Sequence, residues 1–338
     1  MNWYLQNGKE SDVVISSRVR LSRNIQGIPF TTKCSKEDLK EVYEKLKEIT
    51  PLIGYNLKFI SMSDIDDLTK KSLVEKHVIS PDFARTKIPY TAIIINEEEN
   101  ICIMVNEEDH IKLQVFTSGV DLDNLLSLAI EIDEKIENLV KYSYHQKYGY
   151  LTACPTNVGT GMKISALVHI PGLETTGNLR KMLNVVNNLG INVRGIYGEG
   201  TKAEGDIYQI SNNQTLGITE KDISKNLNLI IQKIIEQERL TRKYLSKNSI
   251  KLEDKIYREY GILTNARRLS EKETLELLSN IKLGTDLGII KELTDKKVLE
   301  LMLYTKPGNL QKREGKELSV IDQEILRCEV IKQIVKED

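Results

Sequence analysis

Cys154-Pro-Thr-Asn-Val-Gly-Thr-Gly161 leads into an apolar strand around Leu167 to Ile170. A cysteine before a proline at the mouth of a Gly-rich loop is more often a small buried filler than a reactive thiol, because reactivity needs a lowered pKa. The loop acquires meaning from the segments on either side. Upstream, a strand is expected over Tyr150 to Cys154, preceded by a long amphipathic helix over Asp121 to Tyr142. Before that, Tyr90 to Ile95 and Asn100 to Val105 are short apolar runs split by Asn96-Glu97-Glu98-Glu99, which reads as a hairpin in a buried antiparallel sheet. Ser35 to Ile49 predicts a helix, with Ser35 and Asp38 in capping-box spacing and Leu39, Val42, Leu46 and Ile49 on one stripe. Val13 to Leu21 alternates: Val13, Ile15, Val19 and Leu21 are expected on one face, Ser16, Arg18 and Arg20 on the other.

Downstream, a helix is expected over Gly177 to Leu189, stopped by Gly190, and strands near Ile191 to Arg194 and Ile207 to Ile210 flank a second Gly-rich loop. From Thr219 onward the signals are helical, with Ile223, Leu227, Ile230 and Ile234 at helical spacing. Ser270 with Glu273 and Ser319 with Asp322 open two capped helices. The fold class read from this pattern is α/β (α+β): an antiparallel sheet flanked by helices over residues 1–245, then an all-α domain over 246–338. Composition changes character at about 246–262.

Bulk properties narrow the choices. The 338 residues carry 40% hydrophobic and 29% charged side chains, enough apolar material for a sizeable core. A net charge of -1 gives no bulk attraction for nucleic acid or membrane. Cys34, Cys102, Cys154 and Cys328 are scattered, without zinc-ligand spacing, which points to a reducing compartment rather than a disulfide framework. No signal peptide and no bilayer-length apolar run are seen, so a cytoplasmic location is expected. There is no P-loop and no His-Arg-Asp or Asp-Phe-Gly element of ordinary protein kinases.

Taken singly, the remaining polar loops are unremarkable. Arg18 and Arg20 suit clamping a polyphosphate with two guanidinium forks, but also a solvated strand face. Asn106-Glu-Glu-Asp-His110 places several acids at a strand end, as many turns do. Arg194-Gly-Ile-Tyr-Gly-Glu199 would pass for a loop needing glycine for positive φ. His77, before a Ser-Pro break, would pass for a structural histidine.

Together, in order across residues 13–212, they resemble the ATP:guanido phosphotransferase (phosphagen kinase) family. Ser16-Ser17-Arg18-Val19-Arg20 looks like its nucleotide segment, and Asn106-Glu-Glu-Asp-His110 is identical to its acidic motif. Cys154 to Gly161 resembles its Cys-Pro-Ser/Thr-Asn-x-Gly-Thr-Gly signature. Arg194-Gly-x-x-Gly-Glu199 with Tyr208-Gln-Ile-Ser-Asn212 is similar to its adenosine-side loop. Metabolite kinases of the family carry an α-helical domain of about a hundred residues before the first arginine motif. Here that motif begins at residue 16, and a helical tail follows residue 246. The arrangement resembles the bacterial protein arginine kinase branch, whose open site admits a polypeptide.

The resemblance implies ATP and Mg²⁺ as cofactors, the metal held by phosphates and water rather than by side chains. It implies Glu108 as base and orienter of the guanidinium, Glu199 on its other edge, and Cys154 as a thiolate beside the nucleophile. ATP-binding positions implied are Ser16, Ser17, Arg18, Val19, Arg20, His77, Lys112, Lys163, Ile164, Ser165, Ala166, Leu167, Arg194, Gly195, Ile196, Tyr197, Gly198 and Glu199. Lys112 and Lys163 stand where the family has arginine, which keeps the charge but loses the fork. In the tail, Gln323-Glu324-Ile-Leu-Arg327-Cys328 is similar to an allosteric phosphoarginine motif, with Gln323 replacing a cation. Implied partners are protein substrates with exposed arginine, a heat-shock repressor, Clp protease, a zinc-containing activator and a second copy in a homodimer. The alternatives are a kinase for free arginine or another small guanidine, and a weakly catalytic phosphoarginine-binding scaffold.

Overall fold

The computed structural model describes residues 3–179, 182, 190–195 and 203–336. The helix expected over 177–189 therefore lies mostly outside the described residues, as do Ile196, Tyr197, Gly198 and Glu199. Ten strands occur among the described residues: Val14–Arg23 (β1), Lys58–Ser61 (β2), Ala92–Ile95 (β3), Ile101–Val105 (β4), Ile111–Ser118 (β5), Tyr144–His145 (β6), Gly149–Tyr150 (β7), Met162–His169 (β8), Ile191–Gly195 (β9) and Ile207–Asn212 (β10). Eight form one sheet in the order β2-β3-β4-β5-β1-β8-β10-β9, with antiparallel pairing throughout, and β6 pairs with β7 apart from it.

Because side chains alternate across a pleat, each strand serves two faces. Val19, Leu21, Leu113, Val115, Ile164, Val168 and Ile210 form the first face. It is covered by the helices Lys36–Ile53, Leu122–Glu137 and Glu220–Leu245 through residues such as Val42, Leu46, Ala129, Ile132, Leu227 and Ile231. Each fully buried Leu or Ile contributes about 1.5–3 kcal/mol of transfer free energy, so this layer fixes the register of the central strands. Ser35 caps the first of these helices in a reciprocal capping box with Asp38, as the spacing predicts.

Among the described residues, the second face is covered only at its two ends. Near β3 and β4, Ile93, Cys102, Met104 and Phe116 pack with Leu73, Val78 and Phe83. Near β10, Ile207 packs with the C-terminal helices Ser249–Asn265, Glu271–Asp286, Asp295–Tyr304 and Val320–Lys336. Those helices are also tied to the first layer by buried charge. Arg242 donates to Glu238 at 2.7 Å and to Asp286 at 3.0 Å, and Lys282 donates to Asp286 at 2.9 Å. Removing one member would leave a buried charge unpaired, which typically costs about 3–5 kcal/mol.

Three local expectations change. A register break between Val14 and Ser16 makes Ile15 the extra residue of a β-bulge. Val13 and Val14 thus join the main core, while Ile15 packs toward the C-terminal helices, because one added residue inverts the alternation on one side of it. The helix expected to reach Tyr142 ends at Glu137, since Ile25 pairs with Tyr142 in a bridge and the tyrosine hydroxyl turns back to the Asp133 carbonyl at 3.4 Å. The strand expected over Tyr150 to Cys154 shrinks to Gly149–Tyr150, and Cys154 precedes a 3₁₀ turn, Pro155–Asn157, started by the proline.

Candidate active site

The uncovered middle of the second face is cationic. Arg18 lies opposite Ser165 on β8 and Phe116 on β5, and Arg20 lies opposite Lys163 and Gln114, so these side chains share one face. Arg194 is opposite Gln209, which is opposite Leu167. The site thus draws on five adjacent strands, each held in register by the core beneath. Arg18 donates to Gln114 Oε1 at 3.4 Å, and Gln114 donates to the Val78 carbonyl at 2.8 Å.

These cations crowd one another. Loss of surrounding water, then Arg20 and Arg194, pull the Arg18 guanidinium down to about 9. Burial also lowers Lys163, reinforced by Arg194, Arg20 and Arg18. Burial lowers Arg20 too, against the upward pull of Glu107 and Glu108. A cluster whose charged form is disfavoured in the free protein is relieved by a bound polyanion. Arg18 binds a proton less tightly folded than unfolded, so its contribution to stability improves as pH rises above about 9. Polyphosphate affinity moves oppositely, because it needs the charged form. We expect tripolyphosphate affinity to weaken from about pH 8 to about pH 10, and this drop to shrink in Arg18→Met, as measured by calorimetric titration.

The acidic loop between β4 and β5 divides into a frame and a working edge. Asn106 is buried with φ +56, and its amide donates to the carbonyls of Leu39 at 3.0 Å and Tyr90 at 2.8 Å. His110 Nδ1 accepts from the Ile25 amide at 3.1 Å. Asp109 Oδ1 accepts from Asn24 Nδ2 and from the Ala153 amide, both at 2.7 Å. That last bond fixes the acidic loop to the residue preceding Cys154. Three of the five motif residues are therefore structural, and Glu107 and Glu108 are the two half-buried carboxylates left beside Arg20.

Glu107 was not among the residues singled out from sequence. It is bonded to Lys112, which also stands 3.5 Å from Glu108, and it accepts from Ser80 Oγ at 2.9 Å. Lys112 and Ser80 outweigh burial and hold the Glu107 carboxyl below its usual range. The five-residue spacing from Glu107 to Lys112 was the available signal, since β5 returns directly past the loop. Lys112, expected as a phosphate-contacting cation, is buried and paired with these acids.

Cys154 is half-buried, with its sulfur 3.0 Å from Thr156 Oγ1. The glycines after it are required by space as well as by φ. A Cβ on Gly159, at φ +113, would lie 2.2 Å from the Thr215 carbonyl oxygen, and one on Gly161, at φ +62, would lie 2.6 Å from that of Ser22. His77 and Ser16 line a cavity of about 250 Å³ that also touches Arg18, Ser165, Leu167, Gly195 and Gln209.

The pleat divides the nucleotide set between two faces. Ser17, Val19, Ile164 and Ala166 are buried toward the opposite face, and Ser17 Oγ donates to the Gly119 carbonyl at 2.8 Å. A run quoted as a block reaches a sheet-face site only with alternate side chains. In the tail, Arg327 is buried and donates to the carbonyls of Thr305 at 2.8 Å and Leu269 at 2.7 Å, and Cys328 is buried beside it. Glu324 accepts from Arg268 at 2.7 Å, and Gln323 donates to the Leu318 carbonyl at 2.9 Å. Arg327 thus ties two distant segments together through these carbonyls.

Residues 36–241 match the ATP:guanido phosphotransferase C-terminal catalytic domain, and residues 249–338 match the protein-arginine kinase McsB C-terminal domain. A protein-arginine kinase of Halothermothrix orenii is 44% identical over 333 residues, covering 98% of this chain and 95% of its own. One of Bacillus subtilis is 42% identical over 338 residues, covering 98% and 92%. Among solved structures, lombricine kinase aligns with a TM-score of 0.60 at 25% identity, over 69% of this chain and 68% of that one. The substrate-free duplicated taurocyamine kinase of Schistosoma mansoni aligns with a TM-score of 0.61 at 25% identity, over 71% of this chain and 36% of that one. This chain belongs to the ATP:guanido phosphotransferase family, in the branch that carries the protein-arginine kinase C-terminal domain. It is a kinase with the mixed α/β architecture of that family, and among the described residues no helix is long and apolar enough to cross a membrane.

Proposed function

We propose that this protein transfers the γ-phosphoryl group of ATP to a guanidinium nitrogen of arginine side chains in other proteins. The observation that carries the reading is the pairing, on one open sheet face, of a crowded cation cluster with a two-carboxylate loop. Arg18, Arg20, Lys163 and Arg194 would hold the phosphates, and Glu108 would orient the guanidinium. As the N–P bond forms and the bond from phosphorus to the ADP oxygen breaks, a guanidinium proton passes to the Glu108 carboxylate. A guanidinium with a pKa above about 12 needs such a partner before it can attack. Positioning and charge neutralisation then do most of what phosphoryl transfer requires. Cys154 would steady the nucleophile from the neighbouring loop, and Glu199 would grip its other edge.

Lys112 already engages the Glu107 carboxylate and stands 3.5 Å from Glu108, so Mg²⁺, which keeps several waters, would be held by the ATP phosphates and water rather than by these side chains. Bound with ATP, it would neutralise phosphate charge. The same reading carries a boundary near residue 246 between catalytic and C-terminal domains, a cytoplasmic location, a homodimer, and partners among a heat-shock repressor, Clp protease and a zinc-containing activator. It also keeps the phosphoarginine pocket at Gln323, Glu324, Arg327 and Cys328, with Arg327 to pair with the phosphate and the neutral Gln323 amide weakening the site.

Protein and free arginine are separated by competition. With Mg-ATP and an unfolded arginine-rich protein, phosphate should appear on the polypeptide and free arginine in large excess should barely reduce it. Phosphorylation of free arginine alone would overturn the protein-substrate reading.

A further inference from the structure

The cleft changes polarity along β1. Toward Arg20 its walls are cationic, whereas toward Ser16 they become mostly apolar, although Glu75, Lys76 and Lys306 also line that end. Ile15 and Leu167 reach there from the sheet, and Leu275, Leu299, Met302 and Leu303 reach there from the C-terminal helices, around a second cavity of about 80 Å³. Trp3, Ser16, His77 and Leu167 line both this cavity and the one that touches Arg18, so the two spaces adjoin. Ser16 and Arg20 are four residues apart, about 13 Å along an extended strand. An amphipathic ligand with an apolar ring at one end and a polyanion at the other matches that axis.

Two details support a ring at the apolar end. Trp3 is stacked on Phe116 with ring centroids 5.1 Å apart, and its indole nitrogen donates to the Glu99 carbonyl at 3.0 Å, so the wall is fixed in place. His77 follows the helix Asp67–Glu75 with φ +62, and its amide donates to the Val74 carbonyl at 2.9 Å. Glycine is the residue usually found in that conformation past a helix end. A side chain kept there despite the strain borders both cavities.

We propose that the C-terminal helices, through Leu299, Met302 and Leu303, form the wall that holds the base of the nucleotide, so that the C-terminal domain is part of the nucleotide site. This rests on the phosphotransferase reading of the cleft. The bulge at Ile15 serves the arrangement by turning an apolar side chain onto the face that otherwise carries Ser16, Arg18 and Arg20. A domain that touches the base senses whether the catalytic cleft is filled, without touching the phosphates.

Calorimetric titration of ATP and of inorganic tripolyphosphate into wild type and Met302→Trp tests this. Filling the cavity should weaken ATP by at least about tenfold and leave tripolyphosphate within about twofold. On wild type, hydrogen exchange should slow in residues 295–304 with ATP and not with tripolyphosphate, a measurement that decides the matter alone if the variant does not fold. ATP affinity unchanged in a folded Met302→Trp, or equal exchange in 295–304 with the two ligands, would overturn the proposal. Wild type that binds neither ligand would instead remove the nucleotide reading beneath it.

Discussion

Glu108→Gln is expected to slow phosphoryl transfer by about 10²–10³-fold, the usual consequence of losing one preorganised electrostatic group at a reacting centre. ATP affinity should stay within a few-fold, because the amide keeps the shape and leaves the cation cluster intact. Glu108 is the more open of the two carboxylates, with its side chain 42% exposed against 12% for Glu107, and so the better placed to meet an incoming side chain. Single-turnover kinetics separates the terms. A rate within a few-fold of wild type would take Glu108 out of the mechanism.

Asp109→Ala should be the most damaging change that touches neither substrate. Its carboxylate joins the acidic loop to the loop bearing Cys154, through Asn24 Nδ2 and the Ala153 amide. Truncation leaves the buried Asn24 amide and the partly buried Ala153 amide without this acceptor, at a cost of about 1–3 kcal/mol for a buried orphaned group. Denaturant unfolding should register that loss, while kcat falls by more than about tenfold through misplacement of Glu108 relative to Cys154. A folded variant with wild-type kcat would show that the two loops do not need this tie.

Much of the architecture was legible before any coordinates. The capping box at Ser35, the apolar stripe over Leu39 to Ile49 and the hairpin over 90–105 rest on local periodicity and capping, and they appear as expected. What local pattern could not convey was pairing across the chain. The bulge at Ile15 is set by β8, and the early end of the helix Leu122–Glu137 is set by the bridge from Ile25 to Tyr142. The site shows the same division. Motif order located the loops, but only the register of β1 with β5 and β8 separates Arg18 and Arg20, which face the cleft, from Ser17 and Val19, which do not. Nor could Arg327 be distinguished from a surface arginine, because the carbonyls it meets, those of Leu269 and Thr305, come from distant segments.

The most direct test of the central claim is the acid and base stability of the product. After incubation with Mg-ATP and an arginine-rich protein, the transferred phosphate should sit on a guanidinium nitrogen. Such a phosphorus–nitrogen bond should be lost in acid and retained in mild base. Phosphate that survives acid and is removed by base would instead be an ester of a hydroxyl side chain, contradicting the guanidinium as nucleophile.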